Sequence, residues 1–232
     1  MNIDEFKSEV EKLGIKVTDS VIDLLERYYE LLIEYNEKIN LTAITDKQEV
    51  FLKHFYDSLT LVRVIDFNDI ESMCDIGTGA GFPGVVIKIF YPNVKLTLVD
   101  ALNKRINFLN VVSECLGLEG ITLVHARAEE YAKDNREKFD LVTARAVAKT
   151  STLLEYSMPI VKKNKYFVAM KGHDDTEVSP NCLNVLSSKV LKVDSFELPK
   201  GAGFRNLVLV QRIGDISLKY PRRYADMKKK PL

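Results

Sequence analysis

The residues best suited to chemistry stand in one short run, MCDIGTGAGFPG at positions 73–84. There an apolar strand-like segment meets three closely spaced glycines and then a helix-like segment. Gly77, Gly79 and Gly81 let a backbone turn tightly and approach a ligand with no Cβ in the way. Pro83 suits the first turn of the following helix, where a missing N–H has no partner to lose. The next apolar run, KLTLVD, closes on Asp100, 23 positions beyond Gly77, where an acidic side chain would hold a ribose diol. Together these residues describe a site for a nucleoside-bearing cofactor at the carboxyl ends of parallel strands.

Two cofactor classes fit that description, because GAGFPG also matches the dinucleotide pattern G-x-G-x-x-G. Asp75, two positions before Gly77, separates them. A carboxylate at the strand end would repel a pyrophosphate, whereas S-adenosylmethionine (SAM) carries no phosphate and brings a sulfonium and an ammonium group that a carboxylate suits. The residues therefore favour methyl transfer over a nicotinamide-dependent oxidoreductase, and a non-catalytic RNA-binding assembly factor on the same fold is the third reading. Of the histidines, His125 lies in a strand-like run and is expected as a hydrogen-bonded core side chain. His54 and His173 are candidate substrate-side groups. Cys74, Cys115 and Cys182 stand far apart with no C-x-x-C, so no metal site is expected.

The elements that must position these groups follow from periodicity. Residues 1–66 are expected to be helical: apolar positions recur at i, i+3, i+4 and i+7 within 18–40 behind a Thr18 cap. Asp46 with Glu49 opens a second helix running toward Ile65. From about residue 71 the runs SMCDIG, KLTLVD, ITLVHA, FDLVTAR and KYFVAMKG alternate with helical stretches, which implies parallel β-α-β units with helices on both faces. VLKVDSFEL and NLVLVQRI follow one another without a helix and are expected to pair antiparallel. The fold class is thus α/β: a Rossmann-like, mostly parallel sheet of the class I SAM-dependent methyltransferase kind, with an antiparallel C-terminal strand and a helical segment in front. The expected organisation is a helical cap at 1–66, a SAM-binding core at 67–214 and a basic tail at 215–232.

With 33 basic and 33 acidic residues among 232, overall charge says nothing about nucleic acid. The imbalance is local, with Lys219, Arg222, Arg223, Lys228, Lys229 and Lys230 in the last fourteen positions against Asp226 alone. That tail is expected to clamp an RNA backbone, the competing expectation being that Tyr220 and Pro221 dock on the core. The N-terminal MNIDEFKSEVEKL lacks the basic start and apolar run of an export signal, and no apolar stretch approaches the roughly 18 residues of a membrane span. A cytoplasmic protein without membrane contact is expected.

Read in order, YNEKINLTAI (35–44), HFYDSL (54–59), DIGTGAGFPG, DALNKRINFL (100–109), RAEE (127–130), ARAVA (144–148), MKG (170–172), RNLVLV (205–210) and the YPRR tail cover nearly the whole chain. This ordered set resembles the bacterial 16S ribosomal RNA guanine-N7 methyltransferases of the RsmG family, also called glucose-inhibited division protein B. The resemblance implies that Gly77 and Phe82, with Gly79 in the same turn, contact SAM, and that Asp100 holds its ribose. It also implies that Ala128 and Glu129 sit by the adenine and that Arg145 lies on the cofactor or substrate side. Arg145 and Lys171 are the expected catalytic groups on the RNA side. The implied partner is 16S ribosomal RNA or the small ribosomal subunit, met by a monomer. Guanine N7 is an unprotonated acceptor with an exposed lone pair, so the transfer needs orientation and electrostatic support but no general base.

Overall fold

The computed structural model describes residues 1–145, 148–172 and 176–232. Helix α1 (Ile3–Lys12) opens on a capping box in which Asn2 and Glu5 exchange side-chain-to-backbone hydrogen bonds. Helix α2 (Asp19–Ile39) runs between Thr18 as N-cap and Asn40, a left-handed C-cap at φ 50°, as the 18–40 periodicity predicts. Asp46 caps α3 (Lys47–Val50) by accepting from Glu49 N. The rod continues through a π-helical turn (Phe51–Tyr56), α4 (Asp57–Leu59) and a 3₁₀ turn ending at Arg63. The π turn has no sequence signature; an added residue in a turn re-aims the side chains on it.

The sheet holds seven strands among the described residues, in the order β3-β2-β1-β4-β5-β7-β6. These are β1 (Ser72–Ile76), β2 (Lys95–Asp100), β3 (Ile121–His125), β4 (Phe139–Arg145), β5 (Val161–Lys171), β6 (Ser188–Glu197) and β7 (Phe204–Arg212). β1 pairs parallel with β2 and β4, as in Cys74 opposite Thr97 and Val142, while β7 lies antiparallel between β5 and β6. The strand order therefore reverses between β1 and β4, and a cleft opens beyond the carboxyl ends of the strands at such a switch point.

Each sheet face has its own core. On one, α5 (Gly84–Phe90) and α6 (Asn103–Cys115) pack with the N-terminal helices. An aromatic chain, Phe6–Phe51–Phe55–Tyr28–Phe82, with centroid spacings of 5.3, 4.9, 5.5 and 5.4 Å, carries that core into the glycine loop. On the other face lie α7 (Ala128–Asp134), α8 (Thr150–Ser157), α9 (Pro180–Val185) and α10 (Tyr224–Lys229). Tyr220, Pro221 and Met227 of the C-terminal segment are buried there, and Arg222 forks onto the buried Glu155. Docking of Tyr220 and Pro221 is thus what the fold adopts, and Arg222 is spent on it. Lys219, Arg223, Lys228, Lys229 and Lys230 remain exposed. Among the described residues no helix is long and apolar enough to cross a membrane.

The loop after β1 is where backbone freedom is required. Gly81 has φ +101°, and a Cβ there would stand 2.5 Å from Tyr28 Oη, 2.7 Å from Val85 Cγ2 and 2.9 Å from Leu109 Cδ2. Gly117, also at positive φ (+60°), has nothing within 4 Å of such a Cβ. Gly81→Ala should therefore cost about 3 kcal/mol and lower the melting temperature by about 10 °C, whereas Gly117→Ala should cost about 1 kcal/mol. Thermal melts of the two variants check this, and equal small shifts would contradict the packing of the loop.

Candidate functional site

The cleft has a volume of about 530 Å³ and is built from the loop after β1, the end of β2, the β3–α7 connection, the end of β4 and the cap. That size suits a nucleoside-sized ligand. Gly77, Gly79, Phe82, Asp100, Ala128, Glu129 and Arg145 all line it, so the fold brings together the residues the family resemblance points to, while Gly81 and Asp75 lie outside the lining. Lys171 lies apart at the end of β5, donating to the carbonyl of Ala148. His173 falls outside the described residues.

Asp75 does not face the ligand as expected. It is fully buried, and its carboxylate accepts from Thr78 Oγ1 (2.7 Å), Gly84 N (3.1 Å) and Thr143 Oγ1 (3.4 Å). Its work is to brace the loop from beneath. A carboxylate shut away from water resists ionisation, and burial pushes its pKa up to about 6 against the pull of those donors. Of the two strand-end acids, Asp100 and not Asp75 lines the cleft. Asp100 is 3% exposed and accepts from Gly79 N (2.9 Å), Leu102 N (2.9 Å) and Arg105 (3.2 Å). A carboxylate offers about four lone-pair positions, so it keeps room for one more donor. Beside it the Nε–H of Arg105 is buried with no partner, an orphan donor in the cleft wall. Such a group is costly to bury unless an acceptor arrives. Acceptor capacity on Asp100 next to an unmatched donor on Arg105 fits a polyhydroxylated ligand such as the ribose of SAM.

The other end of the cleft holds a group of residues to which the sequence reading gave no joint role. His54, 9% exposed, stacks on Phe82 with centroids 4.6 Å apart, and Arg145 lies 5.2 Å from the same ring. Arg145 donates to Asp57 Oδ2 (3.2 Å) and to the carbonyl of Lys53 (3.2 Å), and Arg205 Nε donates to Asp57 Oδ1 (2.9 Å). Asp57 thus ties the cap to the ends of β4 and β7. His54 Nδ1 lies 3.3 Å from Arg145 and 3.1 Å from the carbonyl of Lys53. A guanidinium can only donate, which assigns the Nδ1 lone pair to Arg145 and leaves Nε2–H for Thr42 Oγ1 at 2.9 Å. Burial first, and then the facing Arg145 charge, lower the His54 pKa to about 3, so the ring is neutral. The i, i+3 spacing of His54 and Asp57 in HFYDSL was the available signal; their partners are remote in sequence. His125, expected in the core, is exposed and bonds the carbonyl of Ala101 at 3.1 Å, because β3 is an edge strand. Among the described residues no group of three or more metal-ligating side chains gathers.

A family model described as GidB, rRNA small subunit methyltransferase G, matches residues 21–202. Over its full length the chain is 45% identical to a ribosomal RNA small subunit methyltransferase G of Bacillus subtilis, covering 99% of that protein. It is likewise 45% identical to one of Exiguobacterium sibiricum, covering all of it. Among solved structures, a 16S rRNA adenine-N1 methyltransferase from Catenulisporales acidiphilia superposes with a TM-score of 0.53 at 14% identity, covering 63% of this chain and 87% of the other. The mitomycin 7-O-methyltransferase MmcR gives 0.53 at 15% identity over 68% and 53%. These likenesses show the class I methyltransferase fold.

The His54 environment has a thermodynamic consequence. The unfolded chain takes up a proton on His54 below about pH 6.5 while the folded chain resists until about 3, so its stabilising contribution is present above 6.5 and lost as pH falls. Asp75 runs the other way, its folded pKa of about 6 lying above the unfolded 3.8, so its contribution is lost as pH rises through about 6. Replacing His54 by Gln isolates the first effect. The stability difference between wild type and His54→Gln should shrink by about 1 kcal/mol per unit as pH falls from 6 to 5. Urea titrations at those pH values check this, and a difference independent of pH would contradict a buried neutral His54.

Proposed function

The chain belongs to the GidB family of rRNA small subunit methyltransferases, and from that premise we propose that it transfers the methyl group of SAM to N7 of a guanine in 16S ribosomal RNA. The observation that carries the reading is the division of the cleft. At one end Asp100 keeps an open acceptor position beside the unmatched Arg105 donor; at the other, Arg145 and a neutral His54 flank Phe82. The first end suits the nucleoside half of SAM and the second a purine presented by the RNA. A dehydrogenase reading is not retained, since the family is one of methyltransferases.

SAM, when bound, supplies a methyl group activated by its sulfonium. With SAM bound, Gly77 and Gly79 would let the backbone lie close to it, Asp100 would receive the ribose, and Ala128 with Glu129 would meet the adenine. Glu129 is held for that role by Arg127 Nε at 2.7 Å. Guanine N7 already carries an exposed in-plane lone pair, so the residues of the cleft would have to hold and orient the purine and remove no proton. Arg145 is assigned to the purine, whose O6 accepts N–H bonds. Its charge is balanced by Asp57, so it can face a ring that becomes cationic at lower electrostatic cost than an unpaired guanidinium. Lys171 is assigned to the RNA at the cleft's margin. The helical cap of residues 1–66, the core of 67–214 and the basic segment of 215–232 work as one monomer on the small subunit in the cytoplasm. The exposed Lys219, Arg223, Lys228, Lys229 and Lys230 hold the RNA backbone.

Three outcomes follow. Asp100→Ala should weaken SAM by about tenfold or more in calorimetric titration, through loss of a charge-assisted hydrogen bond of roughly 1.5–3 kcal/mol. Unchanged affinity in a folded variant would contradict the assignment. Single-turnover methylation at saturating substrates should be flat from about pH 7 to 8.5, since no histidine need act as base. A loss of about a hundredfold or more in the transfer rate of a folded His54→Gln variant that still binds SAM would overturn the base-free transfer. Replacing Lys228, Lys229 and Lys230 together by Ala should leave SAM affinity intact and flatten the salt dependence of RNA binding by about 2 log units per log unit; an unaltered slope would free the segment of that role.

A further inference from the structure

The chain beyond β7 turns back across the face that carries α7 and α8, and its anchors are buried. Arg136 donates to the carbonyls of Ile216 and Tyr220 at 2.6 and 2.7 Å. Arg222 reaches both oxygens of Glu155, itself 1% exposed, at 2.7 and 2.6 Å, and Met227 is fully buried. Between these anchors Tyr224 is left 43% exposed, and its ring forms part of the cleft wall with Arg127, Ala128, Glu129 and Tyr156. Arg127 links the two, its guanidinium 5.0 Å from the Tyr224 ring centre while its Nε donates to Glu129.

We propose that Tyr224 is an aromatic wall for the nucleoside half of SAM, supplied to the core site by the C-terminal segment. The proposal rests on the SAM reading above, in which Ala128 and Glu129 meet the adenine. A half-exposed ring beside that position leaves apolar area in water that a purine would cover, and a tyrosine with two side-chain torsions, fixed from both flanks by Arg222 and Met227, loses little entropy in receiving it. An RNA base could stack on the same ring, but Tyr224 shares this stretch of wall with Ala128 and Glu129, the residues assigned to the adenine, which favours the donor. The basic segment then has two faces. Its cations point outward, and Tyr224 completes the donor site.

Calorimetric titration of the full chain with SAM and with 5′-methylthioadenosine, which lacks the amino-acid half, tests this in wild type, Tyr224→Ala and Tyr224→Phe. Wild type should bind both; Tyr224→Ala should weaken both by about tenfold, and Tyr224→Phe should stay within about twofold of wild type. In steady state Tyr224→Ala should raise the KM for SAM and leave that for RNA unchanged. Wild-type binding of SAM combined with unaltered binding by Tyr224→Ala, or a loss for SAM without one for 5′-methylthioadenosine, overturns the proposal alone. So does a change confined to the KM for RNA. Failure of the wild type to bind SAM overturns the donor reading with it. Melting without ligand confirms that both variants are folded.

Discussion

A carboxylate sealed at the seam between cap and sheet must be neutralised where it lies, and Asp57 meets that demand with guanidinium groups from two different strands. Arg145 comes from the end of β4 and Arg205 from the start of β7, so one buried charge fastens three parts of the chain to one another. Lifting the cap would strand Asp57, at 4% side-chain exposure, and leave both arginines without their counter-ion. The cap is therefore a fixed wall of the cleft. The same constraint dictates the state of His54: pressed between Phe82 and Arg145, it has neither the water nor the anionic partner that a positive imidazole needs. What this end of the cleft presents is a neutral ring, an aromatic face and one balanced guanidinium.

The glycine-loop end of the cleft is governed by a division of labour between two carboxylates on neighbouring strands. Asp75 lies beneath the glycine loop and spends its acceptors on Thr78, Gly84 and Thr143. Asp100 ends β2 at the cleft wall and is held by the amides of Gly79 and Leu102. One acid shapes the loop and the other, oriented by that loop, lines the cleft. Preorganisation of this kind places the acceptor before the ligand arrives, so binding need not supply the energy of arranging it.

Much of this was legible in the sequence where the signal is local. Helix α2 runs between the caps Thr18 and Asn40 because both the 3.6-residue period and the capping residue types lie within one stretch. The alternating strands, the glycine loop and the antiparallel return of β6 and β7 were equally plain. Asp75 misled because its residue type and position were right but its direction was not; only the packing of Gly84 above it shows that the carboxylate turns inward. Arg145 and Asp57 are 88 positions apart and Arg205 and Asp57 148, separations at which no periodicity speaks. His54 meets Thr42, Phe82 and Arg145, partners that lie outside the turn that carries it. Tyr224 was hidden among lysines, in a segment whose charge drew attention away from its aromatic ring.

Methyl transfer to guanine N7 is checked at the atom that receives the label. Small-subunit RNA from cells lacking the protein would be incubated with the enzyme and SAM carrying an isotopically labelled methyl group, digested to nucleosides and resolved by mass spectrometry. The label is expected in 7-methylguanosine, at a single position of the 16S molecule. Label on any other atom of guanine, on another base or on the ribose would contradict it, as would the absence of transfer by an enzyme that binds SAM.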